Sequence, residues 1–231
     1  MSLSDDAQNR IWPPYLADDA VQEALGIAKD VAIWNAERIY GVEIHTNDPG
    51  HMAVTAFTVV HEHQRACCQL TYSGLLGSAM ALMRPSFEAF VRGLWLQWAD
   101  DSELHRFQQG EDSLNLEKAI KLIVARSGET RYSDMLAIWQ ESKKTLHNYV
   151  HHSYQSLIRR SGEFDVPPEE VVSLLNFSSS MAVYASIEIT ELMERGSTEE
   201  RKEATFAITR TLQWELVRFL SMMELVEPEK T

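Results

Sequence analysis

Apolar residues recur every three to four positions along most of this chain, a period that predicts helices. Ala20, Ala24, Ile27, Val31 and Trp34 form the first such stripe and predict a helix from about Leu16 to Tyr40. Pro13 and Pro14 restrict the backbone before it, so residues 1–15 read as a polar, extended segment. Gly41 and the cluster Asn47-Asp48-Pro49-Gly50 read as helix end and turn. A second helix is expected over about His51–Tyr72 and a third over Ser78–Trp98, with Gly74 and Gly77 between them. Val54–Val60 is the stretch where β-branched residues compete hardest with a helix. Pro85 either opens the third helix or kinks it.

Shorter helices are expected near 101–108 and 114–126, punctuated by Gly110 and Gly128. The pattern from Ser133 to Arg160 is the most regular: Met135, Trp139, Leu146, Tyr149, Val150 and Leu157 fall on one face. Pro167 and Pro168, followed by Glu169 and Glu170, suit the start of a helix over about 169–195. Ser197 with Glu200 reads as a capping box for a last helix, about 198–226. No alternating run is long enough to require a sheet. The expectation is an all-α bundle of five long helices with short helices inserted, forming a single domain over residues 16–227.

Composition narrows the partners. The 231 residues carry 34 acidic and 21 basic side chains, a net charge of −13, which repels a phosphate backbone over the general surface. Duplex DNA is therefore not an expected partner. The excess is uneven, with 14 acidic against 6 basic residues in 161–231. No uncharged run approaches the ~18 residues that a membrane span needs, and the first residues lack the basic and apolar regions of a signal peptide. Adjacent cysteines such as Cys67 and Cys68 point about 100° apart on a helix and cannot pair without distortion. Reduced thiols in a cytoplasmic protein that does not enter a membrane are expected. Wholly apolar stretches such as Val171–Leu175 and Phe219–Met223 suggest a homodimer.

Two constellations could carry chemistry. On the third helix, Arg84, Glu88, Arg92 and Trp95 lie within roughly 80° of one another at 100° per residue. Glu88 thus sits in an apolar and aromatic stripe with an arginine one turn to either side. Such a carboxylate is a general base or anchor in one reading and part of an i,i+4 ion-pair ladder in the other. On the long helix, Lys143, Lys144, His147, His151, Tyr154, Arg159 and Arg160 occur with no acidic residue between Glu141 and Glu163. In so acidic a chain that is a local positive field, suited to a small anion. His147 and His151 share a face with Tyr154 near them. The second helix adds His61 and Arg65 on one face, and a polar layer follows if that face meets Glu88. The six tryptophans fall at helical spacing and are expected in the core.

Several chemistries fail on spacing. No glutamate has histidine three residues later, as a di-metal bundle requires, and no phosphate-binding glycine loop or nucleophile elbow is present. No cofactor and no metal ligand set is expected. The candidate catalytic residues are Glu88, Arg92, His147 and His151; the candidate ligand contacts are Arg84, Trp95, Arg65 and Tyr154. The expected function is a binding or assembly module with a small anionic ligand near Arg84, Arg92 and His147. The alternatives are a hydrolase acting on RNA or a nucleotide with histidine acid/base chemistry, and a metal-dependent enzyme of unfamiliar ligand set.

The run Arg84-Pro-Ser-Phe-Glu88-Ala-Phe-Val-Arg92-Gly-Leu-Trp95, followed by Lys144-Thr-Leu-His147-Asn-Tyr149-Val-His151-His152, resembles a bacterial family of uncharacterised helical proteins. The resemblance covers roughly residues 20–195 and brings no established activity. It implies that Glu88, Arg92, His147 and His151 belong to one site. A more distant resemblance is to nucleotide-binding helical domains of higher eukaryotes and prokaryotes, some of which are ribonucleases with an Arg-(four to six residues)-His motif. Here only Arg38 and His45 approach that spacing, across Gly41 and on an early rather than a late helix.

Overall fold

A computed structural model describes residues 13–41, 44, 46–111, 115–150, 166–198 and 202–223. Pro14–Ala17 forms a 3-10 turn that leads into α1, Asp19–Arg38. The carboxylate of Asp18 accepts from the backbone of Ala20 and Val21 and so fixes the start of α1 three residues later than the sequence suggested. α2 spans Asp48–Tyr72, opened by the Asn47 side chain accepting from Gly50 N with Pro49 in the first turn. Val54–Val60 lies inside it and is helical, because Ala53, Phe57 and Val60 are buried at helical spacing.

α3 spans Leu76–Trp98 and encloses Pro85 well past its first turn. Gly74, with φ 75°, makes the reversal between α2 and α3 possible, since a side chain there would be strained. Gly93 lets the two helices approach closely: a Cβ there would stand 2.5 Å from the Phe57 ring. α4 spans Asp101–Gln108 and begins with a reciprocal capping box between Asp100 and Glu103. α5 spans Leu116–Ser127, capped by Asn115 and ended by Gly128 in the left-handed region. A second 3-10 turn, Thr130–Tyr132, leads into α6, Ser133–Val150. α7 spans Pro168–Arg195 and α8 spans Lys202–Met222.

The fold is all-α among the described residues, but its make-up corrects the expectation of five long helices with short insertions. Eight discrete α-helices are present among those residues, each at least eight residues long. α4 and α5 carry their own caps, and α5 buries Leu116, Ala119, Ile120 and Ile123 in the core shared with α3. They are elements of the bundle rather than insertions between elements. The expected continuation of α6 to Arg160 lies outside the described residues, as does Glu200 of the expected capping box.

α7 is the axis of the arrangement. It packs against α1, α2, α3 and α8, while α3 also contacts α2, α5 and α6. The largest apolar cluster joins α2, α3, α5 and the middle of α7 through Phe57, Phe87, Leu94, Ile120 and Ile189. A second cluster, with Val21, Cys67, Met80 and Leu174, lies near the first turn of α7, and a third joins α1, α7 and α8. Both apolar stretches that suggested a homodimer turn largely inward, with Val171, Leu174, Leu175 and Leu220 buried. Cys67 is buried and Cys68 half-buried, both free thiols, and burial pushes them up to about 12 and about 11. Among the described residues no helix is long and apolar enough to cross a membrane.

Candidate functional site

α3 and α6 are joined by an aromatic stack, Phe87 on Trp139, with ring centroids 5.8 Å apart and planes within 6°. Leu146, two turns further along α6 and so on the same face of the helix as Trp139, is buried too. This packing brings Arg84 on α3 next to His147 on α6. The Arg84 guanidinium donates through Nε to Glu88 Oε1 at 2.7 Å and through Nη1 to His147 Nδ1 at 2.9 Å. A guanidinium has no acceptor, so Nδ1 must present its lone pair and a neutral His147 ring carries its proton on Nε2. Three of the residues singled out in the sequence therefore converge here, with arginine as the bridge.

Glu88 differs from the buried carboxylate expected of an apolar stripe. Its side chain is 40% exposed, and its partner is the i,i+4 arginine on its own helix. The residue of α3 that stacks on Trp139 of α6 is its neighbour Phe87. The remaining candidates go elsewhere. Arg92 lies over the Phe107 ring at 4.9 Å, and Trp95 is buried edge-on against the same ring at 5.6 Å. Arg65 lies over Tyr40 at 5.4 Å. His151 and Tyr154 lie outside the described residues. Met80 and Met83 of α3 and Tyr149 of α6, near Arg84 and His147 in the chain, line a cleft of about 140 Å³ together with Glu169, Glu170 and Leu174 of α7; Arg84, Glu88 and His147 are not among its lining residues.

His61 takes part in a polar layer, but with α7 and α1 instead of Glu88. Its Nε2 lies 3.2 Å from Ala182 O and 3.0 Å from Ser186 Oγ. A carbonyl only accepts, so Nε2 carries the proton. Ser186 Oγ in turn donates to Asn35 Oδ1. All three side chains are buried, and burial pulls the His61 ring down to about 4. With Nε2 donating and Asn35 bonded to the serine instead of to the ring, the three side chains lack the connectivity of a nucleophile and its base and act as a structural network sealed in the core.

Sequence reasoning missed the other buried polar centre. Glu188 of α7 is 3% exposed and accepts from Tyr132 OH at 2.8 Å and from Gln97 Nε2 at 3.3 Å. Arg131 lies 3.6 Å from the same carboxylate, bonds Tyr132 OH at 2.8 Å and grips both oxygens of Glu191. Arg195 extends the network by donating to Gln97. Burial pushes the Glu188 carboxyl up, and Arg131, Tyr132 and Gln97 pull against that shift. The signal was available: Glu188 interrupts the apolar pattern between Ile187 and Ile189. Its two oxygens are already engaged, so it fixes the Thr130–Tyr132 turn onto α7 and has no site for a substrate.

Among the described residues no group of three or more His, Cys, Asp or Glu side chains is placed to hold a metal ion. No curated protein and no solved structure matches the chain. A family model does match over residues 57–210, from the middle of α2 into α8. That span includes the Arg84–His147 bridge and the Glu188 network; the function of the family is unknown, so the match supports an uncharacterised all-helical domain and brings no activity, source or nucleotide-binding relative with it. The chain belongs to DUF6988, a family of unknown function.

Proposed function

We propose that this protein is a helical binding module that takes a small anion between α3 and α6, at Arg84 and His147. The observation that carries the reading is the Arg84 guanidinium reaching from one helix to the imidazole of another, 2.9 Å away, at the exposed edge of the seam. Lys143 and Lys144 precede His147 on the same exposed helix, and no acidic residue follows until Glu163. In a chain of net charge −13, that run of cationic residues lowers the repulsion that an anion meets locally. The cleft of about 140 Å³ is smaller than the ~300 Å³ at which pockets begin to enclose organic ligands, and Glu169 and Glu170 rim it. A compact anion held at Arg84 fits this arrangement better than a whole nucleotide does.

Calorimetric titration of the full chain with inorganic phosphate tests the proposal. Arg84→Ala should abolish binding. Glu88→Gln should strengthen it severalfold, because the competing carboxylate charge next to the guanidinium is removed. Absence of binding by the wild-type protein at millimolar phosphate would sink the reading. Hydrolysis of a phosphate ester by the wild-type protein, lost in His147→Ala, would replace it with the hydrolase reading.

A further inference from the structure

Half of the large apolar side chains that the described residues leave exposed lie on one helix, α8: Phe206, Ile208, Trp214, Val217 and Met222. Trp214, 63% exposed, is the most exposed of them and departs from the core position its spacing suggested. α8 docks on α7 and α1 through its other side, where Leu212, Leu216 and Leu220 are buried. Trp34 of α1 fixes that docking by donating to Glu215 Oε2 at 2.8 Å. The outward face carries an ordered pattern of aromatic and cationic residues. Phe206, Arg210, Trp214 and Arg218 follow one another at intervals of four, so they form a single ladder along the helix. Arg210 lies over the Phe206 ring at 5.7 Å and Arg218 over the Trp214 ring at 5.6 Å. Among the described residues neither arginine pairs with a carboxylate.

We infer that this ladder is the docking surface for a second copy of the same chain, with the two α8 helices antiparallel about a two-fold axis between Arg210 and Trp214. The order of residues along the ladder makes it self-complementary. Read upward it runs aromatic, cation, aromatic, cation; turned end for end it runs cation, aromatic, cation, aromatic. An antiparallel pair centred on that axis therefore sets Phe206 against Arg218 of the second copy and Arg210 against its Trp214. Every ring meets a guanidinium, and no like charges face each other. Shifting the axis to Trp214 would set Arg210 against Arg218 and lose this complementarity. Val217 flanks the ladder and supplies apolar contact near its end. Nucleic acid is a poorer occupant, because the net charge of −13 surrounds the ladder.

Sedimentation of the full chain from roughly 1 to 100 µM, the range in which a modest helix-pair interface titrates, tests the inference. The wild-type protein should move from 26.4 kDa to twice that mass as its concentration rises. Trp214→Ala and Arg210→Glu should each weaken the dimer by about 10-fold or more, with unchanged helicity and melting. The register has its own test. Phe206→Arg alone places arginine against Arg218 of the second copy and should also weaken the dimer by about 10-fold. Adding Arg218→Phe to it restores an aromatic opposite every cation and should restore the dimer. The inference is overturned by a wild-type protein still monomeric at the highest concentration, whether or not that monomer binds a single-stranded oligonucleotide or an acidic peptide. A dimer indifferent to Trp214→Ala and Arg210→Glu overturns it too, and a double swap that fails to restore association overturns the register.

Discussion

Ser186 and Glu188 stand two residues apart on α7, about 200° around the helix, and each anchors a buried polar centre on its own side. The centre at Ser186 is neutral and joins α7 to α1 and α2 through Asn35 and His61. The centre at Glu188 is charged and joins α7 to α3 and to the turn before α6 through Gln97, Tyr132 and Arg131. They differ in how completely they are satisfied. Both oxygens of Glu188 accept hydrogen bonds, whereas Asn35 Nδ2 and His61 Nδ1 find no partner among the described residues. An unmatched neutral group costs roughly 1–3 kcal/mol, and an unmatched buried charge costs several. The fold supplies partners where their absence would be least tolerable.

Removing a partner from the charged centre should therefore give the largest effect. Arg131→Met leaves Glu188 and Glu191 side by side without the guanidinium that links them to Tyr132. Loss of one member of a buried pair costs about 3–5 kcal/mol, and the lower end applies because Arg131 is itself partly exposed. The cost should also depend on pH. Burial already holds the Glu188 carboxyl above its usual value, and loss of Arg131 raises it further. A raised carboxyl binds a proton more readily in the folded than in the unfolded state, so the variant should lose stability as pH rises above the ordinary glutamate value. Urea unfolding at pH 5 and pH 8 measures both. An equal loss at the two values would show that Glu188 is not the group left uncompensated.

The neutral centre should respond in the opposite sense. His61 is held neutral in the fold, down from 6.5 to about 4. The unfolded chain takes up that proton first, so the stabilisation is complete above pH 6.5 and is lost as pH falls from there toward 4. A shift of this size corresponds to roughly 3 kcal/mol at ~1.4 kcal/mol per pH unit. His61→Phe removes the titrating group, and its unfolding free energy should fall less between pH 7.5 and 4 than that of the wild-type protein. Parallel acid limbs in the two proteins would place the acid sensitivity elsewhere.

The two centres also differ in what the sequence discloses. Gly128 after α5 was legible because it acts on its neighbours in the chain, whereas the starts of α1 and α2 were placed a few residues off: Asp18 caps α1, and Asn47 and Pro49, which read as a turn, are the cap and first turn of α2. His61 was legible as a residue on a polar face. Its partners were not, since Asn35 and Ser186 approach it from helices whose relative rotation no local pattern specifies. Periodicity separates a buried face from an exposed one only when polarity contrasts. α8 has apolar residues on both faces, so Trp214 looked like core. Arg84 and Glu88 could be paired by spacing, whereas the contact with His147, 63 positions away, depends on how Phe87 and Trp139 stack.

The smallest effect that still separates the two centres comes from removing a single hydroxyl from each. Tyr132→Phe takes away a donor to a buried carboxylate, a bond worth about 1.5–3 kcal/mol, and leaves Glu188 with Gln97 and the more distant Arg131. Ser186→Ala takes away a hydroxyl that has one proton and two acceptors, Asn35 Oδ1 and Ala182 O. His61 Nε2 keeps Ala182 O as its acceptor, and Asn35 Oδ1 becomes a further unmatched atom in a centre that already contains two. The neutral change should cost about 1 kcal/mol, less than Tyr132→Phe. Alanine also has the higher helix propensity, by a few tenths of a kcal/mol, which reduces the loss further. Thermal and urea unfolding of the two variants at pH 7.5 compare them directly. If Ser186→Ala proves the more damaging, the neutral layer, and not the carboxylate, is what holds α7 in place.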